Sequence, residues 1–322
     1  MKSCVAAALV LLLLLFGAPW LTAEAPQKEE EMPPPQARAD ETVVLRVWNG
    51  SAVQEMSMAE YLSGVVRGEM PASFEMEALK AQAVAERTYI YYKRNTGGKA
   101  AHPEAEVCMS PQCCSAYTSA QTAAEKWGDK AAEYEARIQT AVTQTDGQVL
   151  LYNNEPILAA FHSSSAGVTA NSGDVWVSDL PYLTSVASPE GGESVPNYYS
   201  VKTFTAEEFQ QTFTAAYPEA QFSADPATWI TGAVHNDSDR VETLNIGGIT
   251  LEGTEARTLF GLRSASFTTE ATAETVTFRV TGYGHGVGMS QYGANEMAKQ
   301  GKTWQEILRW YYTGVTIADY MP

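Results

Sequence analysis

The sequence predicts an α+β fold, a single mixed domain with helices packed on antiparallel strands. Three observations predict it. Short runs at 43–48, 148–152 and 157–161 read as strands, and apolar and polar residues alternate over 241–280, with Asn-Gly, Asn-Asn and Gly-Gly pairs marking tight turns. Helical runs at 58–69, 73–94 and 303–311 carry their own start or stop signals. No regular alternation of strand and helix suggests the crossover units of a parallel sheet, and no internal repeat is visible.

The chain opens with Met1-Lys2 and an apolar run over 5–21, broken only by Gly17 and Pro19. This run is near the lower limit of about 17 residues for a membrane-spanning helix. Ala23-Glu24-Ala25 resembles a small-residue cleavage site, so a removed signal peptide and a retained N-terminal membrane anchor both fit. Either places the rest of the chain outside the cytoplasm. Residues 1–25 are thus the signal or anchor. Residues 26–42, rich in Pro and Glu, have little to bury and read as a linker. Residues 43–322 are the exported domain.

Within that domain, 43–48 reads as a strand and Asn49-Gly50 as its turn. The helix over 58–69 ends at Met70-Pro71, because proline disfavours helical geometry in the residue before it. Ser73 can cap the next helix, with Glu75 and Glu77 in an acidic first turn. The alanines at 78, 81, 83 and 85 favour that helix and permit close packing. Residues 99–130 form a polar insertion that holds the cysteines. Runs 148–152 and 157–161 are expected to pair around Asn153-Asn154. Thr205 with Glu208, and Thr303 with Glu306, are capping boxes that open two further helices. Residues 241–280 read as strands.

With 322 residues and 45% hydrophobic composition, the chain can bury a large core. Its 21 Lys+Arg against 38 Asp+Glu give a net charge of -17, which disfavours nucleic acid phosphates and anionic membrane surfaces. Beyond Cys4, which lies in the apolar run, three cysteines remain: Cys108, Cys113 and Cys114. An odd number argues against a complete disulfide framework.

Three constellations can carry chemistry beside the glycine-rich stretch Gly284-His285-Gly286-Val287-Gly288-Met289-Ser290-Gln291-Tyr292-Gly293-Ala294. That density of glycine belongs where backbone approaches something closely, and its interleaved polar groups can hydrogen-bond a polyol. The first constellation is Arg67-Gly68-Glu69-Met70-Pro71. Glu69 falls at the C-terminal end of a helix among Val65, Val66, Met70 and Phe74. Helix-end carbonyls and apolar neighbours both raise a carboxylate pKa, which suits a general acid. The second is the small-residue helix carrying Gln82 and Arg87, long polar residues that can orient Glu69 or a ligand; Arg87 can equally pair with an acidic neighbour. The third is Phe161-His162-Ser163-Ser164-Ser165-Ala166-Gly167-Val168-Thr169, followed by Val175-Trp176 and Leu180-Pro181-Tyr182-Leu183. This is a hydroxyl-rich rim of the kind that lines a carbohydrate site. A serine nucleophile is the competing reading, but the Gly-x-Ser-x-Gly pattern is absent.

Together these segments resemble the stage II sporulation protein D family, lytic transglycosylases of endospore-forming bacteria, over roughly residues 43–320. The resemblance implies that Glu69 is the catalytic acid. It implies substrate contacts at Gln82, Arg87, Ser163, Ser164, Ser165, Thr169, Tyr182, His285, Gly286, Ser290 and Gln291. The substrate would be peptide-free peptidoglycan strands, cut between N-acetylmuramic acid and N-acetylglucosamine to leave 1,6-anhydro ends. Expected partners are a sporulation amidase or endopeptidase and a membrane scaffold protein, with the anchored chain facing peptidoglycan in the intermembrane space.

Some members of this family, of the clostridial type, bind zinc through a His-x5-Cys-x5-Cys arrangement. His102, Cys108 and Cys114 have that spacing here. Cys113 can replace Cys114, and His162 and His285 are alternative ligands. Two departures stand out: Ala166 where a second glycine is common, and Glu86 where a small residue is more usual. A non-catalytic glycan-binding module, as in amidase enhancer proteins, and a zinc amidase or peptidase acting on stem peptides are the competing functions.

Overall fold

The computed structural model describes residues 38–97 and 101–320. The apolar run expected as an anchor, and most of the expected linker, lie outside the described residues. No helix among the described residues is long and apolar enough to cross a membrane. The described chain is mixed α and β, with mostly antiparallel sheets, and it has two hydrophobic cores.

The larger core gathers residues from 45–183 and 287–315. It begins earlier than the sequence suggests. Residues 38–42, read as the end of the linker, include a short helix, α1 (Ala39–Thr42), and Asp40 is buried. β1 (Val44–Trp48) and β2 (Val53–Ser57) form an antiparallel hairpin. α2 (Met58–Glu69) starts where the Ser57 hydroxyl accepts from the Glu60 N–H at 3.1 Å, a cap worth roughly 1 kcal/mol. It buries Tyr61, Leu62, Val65 and Val66, and ends where Met70 turns extended before Pro71. α3 (Met76–Asn95) starts three residues later than Ser73 suggested. Its alanines at 78, 81, 83 and 85 are fully buried, so it runs through the middle of the core.

The polar insertion is more ordered than its composition implied. β3 (Val107–Cys108) pairs parallel to β1, an exception to the expected antiparallel pattern. α4 (Ala120–Trp127) is capped by Ser119, and α5 (Ala131–Gln144) buries Ile138, Ala141 and Val142.

The hairpin expected around Asn153-Asn154 forms only in part. Both asparagines take left-handed backbone (φ 51° and 66°), the geometry of a two-residue hairpin turn. β4 (Gln148–Tyr152) therefore pairs with β5 (Glu155–Pro156). The second strand then breaks at Ala160, whose N–H turns back to the Leu158 carbonyl. β6 (Phe161–His162) leaves that sheet to pair, in parallel, with a distant strand described below.

Residues 199–281 build the second core. β7 (Tyr199–Thr205) leads into α6 (Ala206–Ala216), which opens with the expected Thr205–Glu208 capping box. β8 (Ile230–His235), β9 (Val241–Ile246) and β10 (Ile249–Glu252) form one antiparallel sheet. β11 (Phe267–Ala271), β12 (Thr275–Thr281) and β7 form the other. Between them lies α7 (Gly253–Leu259), inside a stretch read only as strands. Stacked phenylalanines fill this core, with Phe209 and Phe260 ring centroids 4.8 Å apart.

The chain then returns to the first core through the glycine-rich stretch. β13 (Met289–Ser290) pairs with β6, and α8 (Gln291–Lys299) follows directly. α9 (Trp304–Tyr311) starts at the expected Thr303–Glu306 capping box, and β14 (Thr316–Asp319) closes the β4 sheet.

Candidate active site

The end of α2, the β6 segment and the glycine-rich stretch converge on a cleft of about 660 Å³. The glycines permit this convergence. Gly284 and Gly288 have positive φ (118° and 72°). A Cβ at 288 would lie 2.0 Å from the Ala160 carbonyl oxygen, and one at 284 would lie 2.7 Å from His162 Cβ. Only glycine lets these backbones touch.

Glu69 stands on one wall of the cleft. Its Oε1 accepts the Ala116 N–H at 2.5 Å, and its backbone carbonyl accepts the Gln291 Nε2–H at 3.0 Å. Burial raises its pKa; the Ala116 N–H opposes that shift without cancelling it. Glu86 lies beneath, fully buried. It accepts from Ser115 Oγ at 2.9 Å and from Gln82 Nε2 at 3.3 Å. Burial, then the charge of Glu69, push it up to about 8, against those two hydrogen bonds. The two carboxylates therefore act as a pair in which the deeper one holds its proton near neutrality. The sequence marks Glu86 only as an unusual residue, because one side chain on a buried face does not reveal what lies opposite.

Gly68 explains the motif around Glu69. A Cβ there would lie 2.2 Å from the Ala116 carbonyl oxygen. Gly68→Ala should therefore displace the loop that donates to Glu69 and destabilise the protein by roughly 1–3 kcal/mol. Thermal unfolding of the variant checks this; an unchanged melting temperature would mean the loop yields freely.

The opposite wall carries His162, Ser163, Trp176 and His285. His162 Nδ1 faces the Val287 carbonyl at 3.2 Å, and its Nε2 is buried without a partner. His285 Nδ1 accepts the Val287 N–H at 3.1 Å, and its ring is 5.2 Å from Trp176. Burial, with nearby arginine charges adding to it, lowers both imidazoles to about 3, so both are neutral at physiological pH.

Of the expected substrate contacts, Ser163, His285 and Gln291 line the cleft with Glu69. The others are turned inward. Arg87 is fully buried and ion-paired to Asp40, with Nη2 to Oδ2 at 2.6 Å, so the acidic-neighbour reading describes it. Gln82 binds Glu86. Ser165 and Ser290 both donate to Glu190, at 2.8 and 2.6 Å. Thr169 accepts the Val186 N–H, and the Tyr182 hydroxyl accepts the Leu158 N–H. Ser164 and Gly286 are also buried. For Ser165 and Ser290 the cause is Glu190. Buried Glu190 needs several donors, and the hydroxyls of the serine-rich rim supply them. Glu190 was not visible as a hub, since it is separated from Ser165 by 25 residues and from Ser290 by 100. No described hydrogen bond joins a rim serine to His162, so nothing here forms a nucleophile–base pair.

The insertion loop brings a second constellation beside the cleft. The ligand atoms of His102, Cys108, Cys113 and Cys114 lie within 4.8 Å of one another. His102 Nε2 is 3.1 Å from Cys113 Sγ, and its Nδ1 is buried without a partner. Burial and the adjoining Cys108 push Cys114 up to about 12. Clustered thiols beside an orphaned imidazole nitrogen fit a bound cation, which would favour the thiolate forms. The cluster holds both Cys113 and Cys114, and neither His162 nor His285. Cys114 lines the cleft, and the next two residues, Ser115 and Ala116, hold Glu86 and Glu69.

A family model described as "Stage II sporulation protein" matches residues 49–152, which include Glu69, Glu86 and the cysteine loop. Stage II sporulation protein D of Bacillus subtilis (strain 168) is 41% identical over 276 residues, covering 86% of this chain and 78% of that one. Its counterpart in Bacillus amyloliquefaciens is 39% identical over the same shares. The amidase enhancer of Bacillus subtilis (strain 168) is 29% identical, over 80% of this chain and 40% of that longer protein.

Proposed function

We propose a reaction from one premise: this chain belongs to the stage II sporulation protein D family. It is a peptidoglycan lytic transglycosylase that cuts peptide-free strands between N-acetylmuramic acid and N-acetylglucosamine. One observation carries this reading. Among the described residues lining the cleft, Glu69 is the one carboxylate. Ordinary glycosidases need two carboxylates flanking the bond. Here the second, Glu86, is buried with its oxygens engaged, and cannot activate a water on the far face of a sugar.

A single carboxylate suits an intramolecular reaction. Protonated Glu69 gives its proton to the glycosidic oxygen as the C1–O bond breaks. Glu69, now a carboxylate, takes the proton of the muramic C6 hydroxyl as that oxygen bonds to C1. The products are a 1,6-anhydromuramic end and a free N-acetylglucosamine end. No water enters the balance, and Glu69 returns to its starting state. Burial raises the pKa of Glu69, which favours the acid form that the first step needs.

His102, Cys108 and Cys114, with Cys113, would hold Zn2+, which favours this donor set. Bound there, the ion would supply a rigid crosslink for the loop that positions Glu69. Cys108→Ala should take bound zinc from stoichiometric to trace, measured by elemental analysis; unchanged metal content would remove the loop site.

The protein works tethered by its N-terminus outside the cytoplasm, in the intermembrane space of the developing spore. An amidase that strips stem peptides and a membrane scaffold protein are its collaborators. The amidase enhancer relative favours a second reading, a glycan-binding module without catalysis. Mass spectrometry of glycan strands treated with the full-length protein tests both. Anhydro-ended products are expected. Hydrated reducing ends would make it a hydrolase, and binding without cleavage would favour the module.

A further inference from the structure

Glu86 sits near the middle of α3, 1% exposed, and does not line the cleft. A carboxyl so deep normally faces a cation. Among the described residues no ion pair includes it. The groups in electrostatic reach of Glu86 are Glu69, Tyr61, Tyr89 and Tyr312, and none of these is a cation. The site therefore suits the uncharged acid, held by hydrogen bonds alone. Gln82 stands one helical turn earlier on α3. Its Nε2 is 3.3 Å from Glu86 Oε1, and its buried Oε1 has no partner. The uncharged acid carries an O–H, which that amide oxygen can accept once the amide is turned over.

Ser115 is the other partner. It is buried and donates to Glu86 Oε2 at 2.9 Å. The next residue, Ala116, donates its N–H to Glu69 Oε1 at 2.5 Å. Glu86 therefore reaches Glu69 through a hydrogen bond, a peptide link and a second hydrogen bond. The segment that carries this path has no slack. A Cβ at Gly68 would lie 2.2 Å from the Ala116 carbonyl oxygen, and one at Gly64 would lie 2.0 Å from the Tyr117 ring. The Thr118 N–H donates to the Gly64 carbonyl at 3.0 Å. Residues 115–118 are thus pressed along the glycines of α2, while Glu86 ties their first residue to α3. In packing this close, a displacement at Ser115 is passed on to the Ala116 N–H.

The Ala116 N–H bears on the chemistry in two ways. It fixes where Glu69 Oε1 stands. It also favours the carboxylate form against burial, and that form must take the C6 proton in the second half of the reaction. Resting on the strand-cleavage reading above, we propose that Glu86 is a positioning residue for that reaction: through Ser115 it sets the Ala116 N–H that orients Glu69. Glu86 does this without touching the sugar. Uncharged, it places no second negative charge beside Glu69 when Glu69 becomes a carboxylate.

Glu86→Gln, Glu86→Ala and Ser115→Ala, each in the full-length protein, test this. Glutamine has the shape of the uncharged acid, with an oxygen to accept from Ser115 and an amide to donate to Gln82. Glu86→Gln should therefore keep the kcat and the pH profile of the wild type. Glu86→Ala should lower kcat by about 10²-fold, the scale of a small misplacement, with KM unchanged. Its high-pH limb should move up, because Glu69 loses the N–H that opposes the effect of burial. The Ala116 amide should exchange with deuterium faster in Glu86→Ala and Ser115→Ala than in the wild type, and at the wild-type rate in Glu86→Gln. A Glu86→Ala protein that melts lower but keeps its limb and its Ala116 exchange rate overturns the proposal, since Glu86 then only fills space. A Gln variant as impaired as the Ala variant also overturns it, since the charged form is then required. If the wild type cuts no strands, the reading of function fails, and the Ala116 exchange rates still decide whether Glu86 holds the partner of Glu69.

Discussion

Glu69→Gln should lower strand cleavage by about 10²–10⁴-fold, the range for losing a general acid–base group. The upper end is expected, because one residue serves both halves of the reaction. Gln is a better probe than Ala. It keeps an oxygen to accept the Ala116 N–H and nearly the same volume, so the loop over 114–116 should stay in place. The melting temperature should therefore hold. Product analysis beside thermal unfolding decides. Lost cleavage in a stable protein assigns chemistry to Glu69, whereas lost cleavage with lost stability makes it a structural residue. The pH profile of the wild type gives an independent check. The acid form acts, so the rate should fall as pH rises through the Glu69 pKa, and burial should shift that limb upward from where an ordinary glutamate would put it.

Why was Glu69 legible in the sequence when its surroundings were not? Its position follows from local signals. A capped helix ends at Met70-Pro71, and the apolar residues around it supply the burial. The same holds for both Thr–Glu capping boxes and for the close backbone approach of the glycine-rich stretch. The partners of these elements are set by contacts across long separations, which spacing does not encode. Ser163, Ser164 and Ser165 are adjacent, yet Ser163 alone lines the cleft, while Ser165 turns to Glu190. The metal loop is the intermediate case. Its residues are near in sequence, so His102, Cys108 and Cys114 could be grouped, but the inclusion of Cys113 needed the folded loop.

Arg87 shows how far such a partner can be from view, and it gives the largest expected effect on stability. Asp40→Ala should destabilise the protein by about 3–5 kcal/mol, the cost of leaving a buried charge unpaired. Asp40 receives two hydrogen-bonding arms of Arg87, at 2.9 and 2.6 Å, while a third donates to the Gln148 carbonyl at 3.0 Å. One guanidinium thus ties α1 to α3 and β4. Removing Asp40 leaves Arg87, 0% exposed, with backbone carbonyls and a hydroxyl but no counterion. The melting temperature should fall by roughly 10 °C for a domain of this size. Asp40→Leu combined with Arg87→Met should recover most of the loss, because replacing both partners removes the desolvation penalty as well as the attraction. If Asp40→Ala melts like the wild type but loses glycan binding, Arg87 serves the ligand and the pair is incidental. The expected result is the reverse, with normal glycan affinity below the lowered melting point.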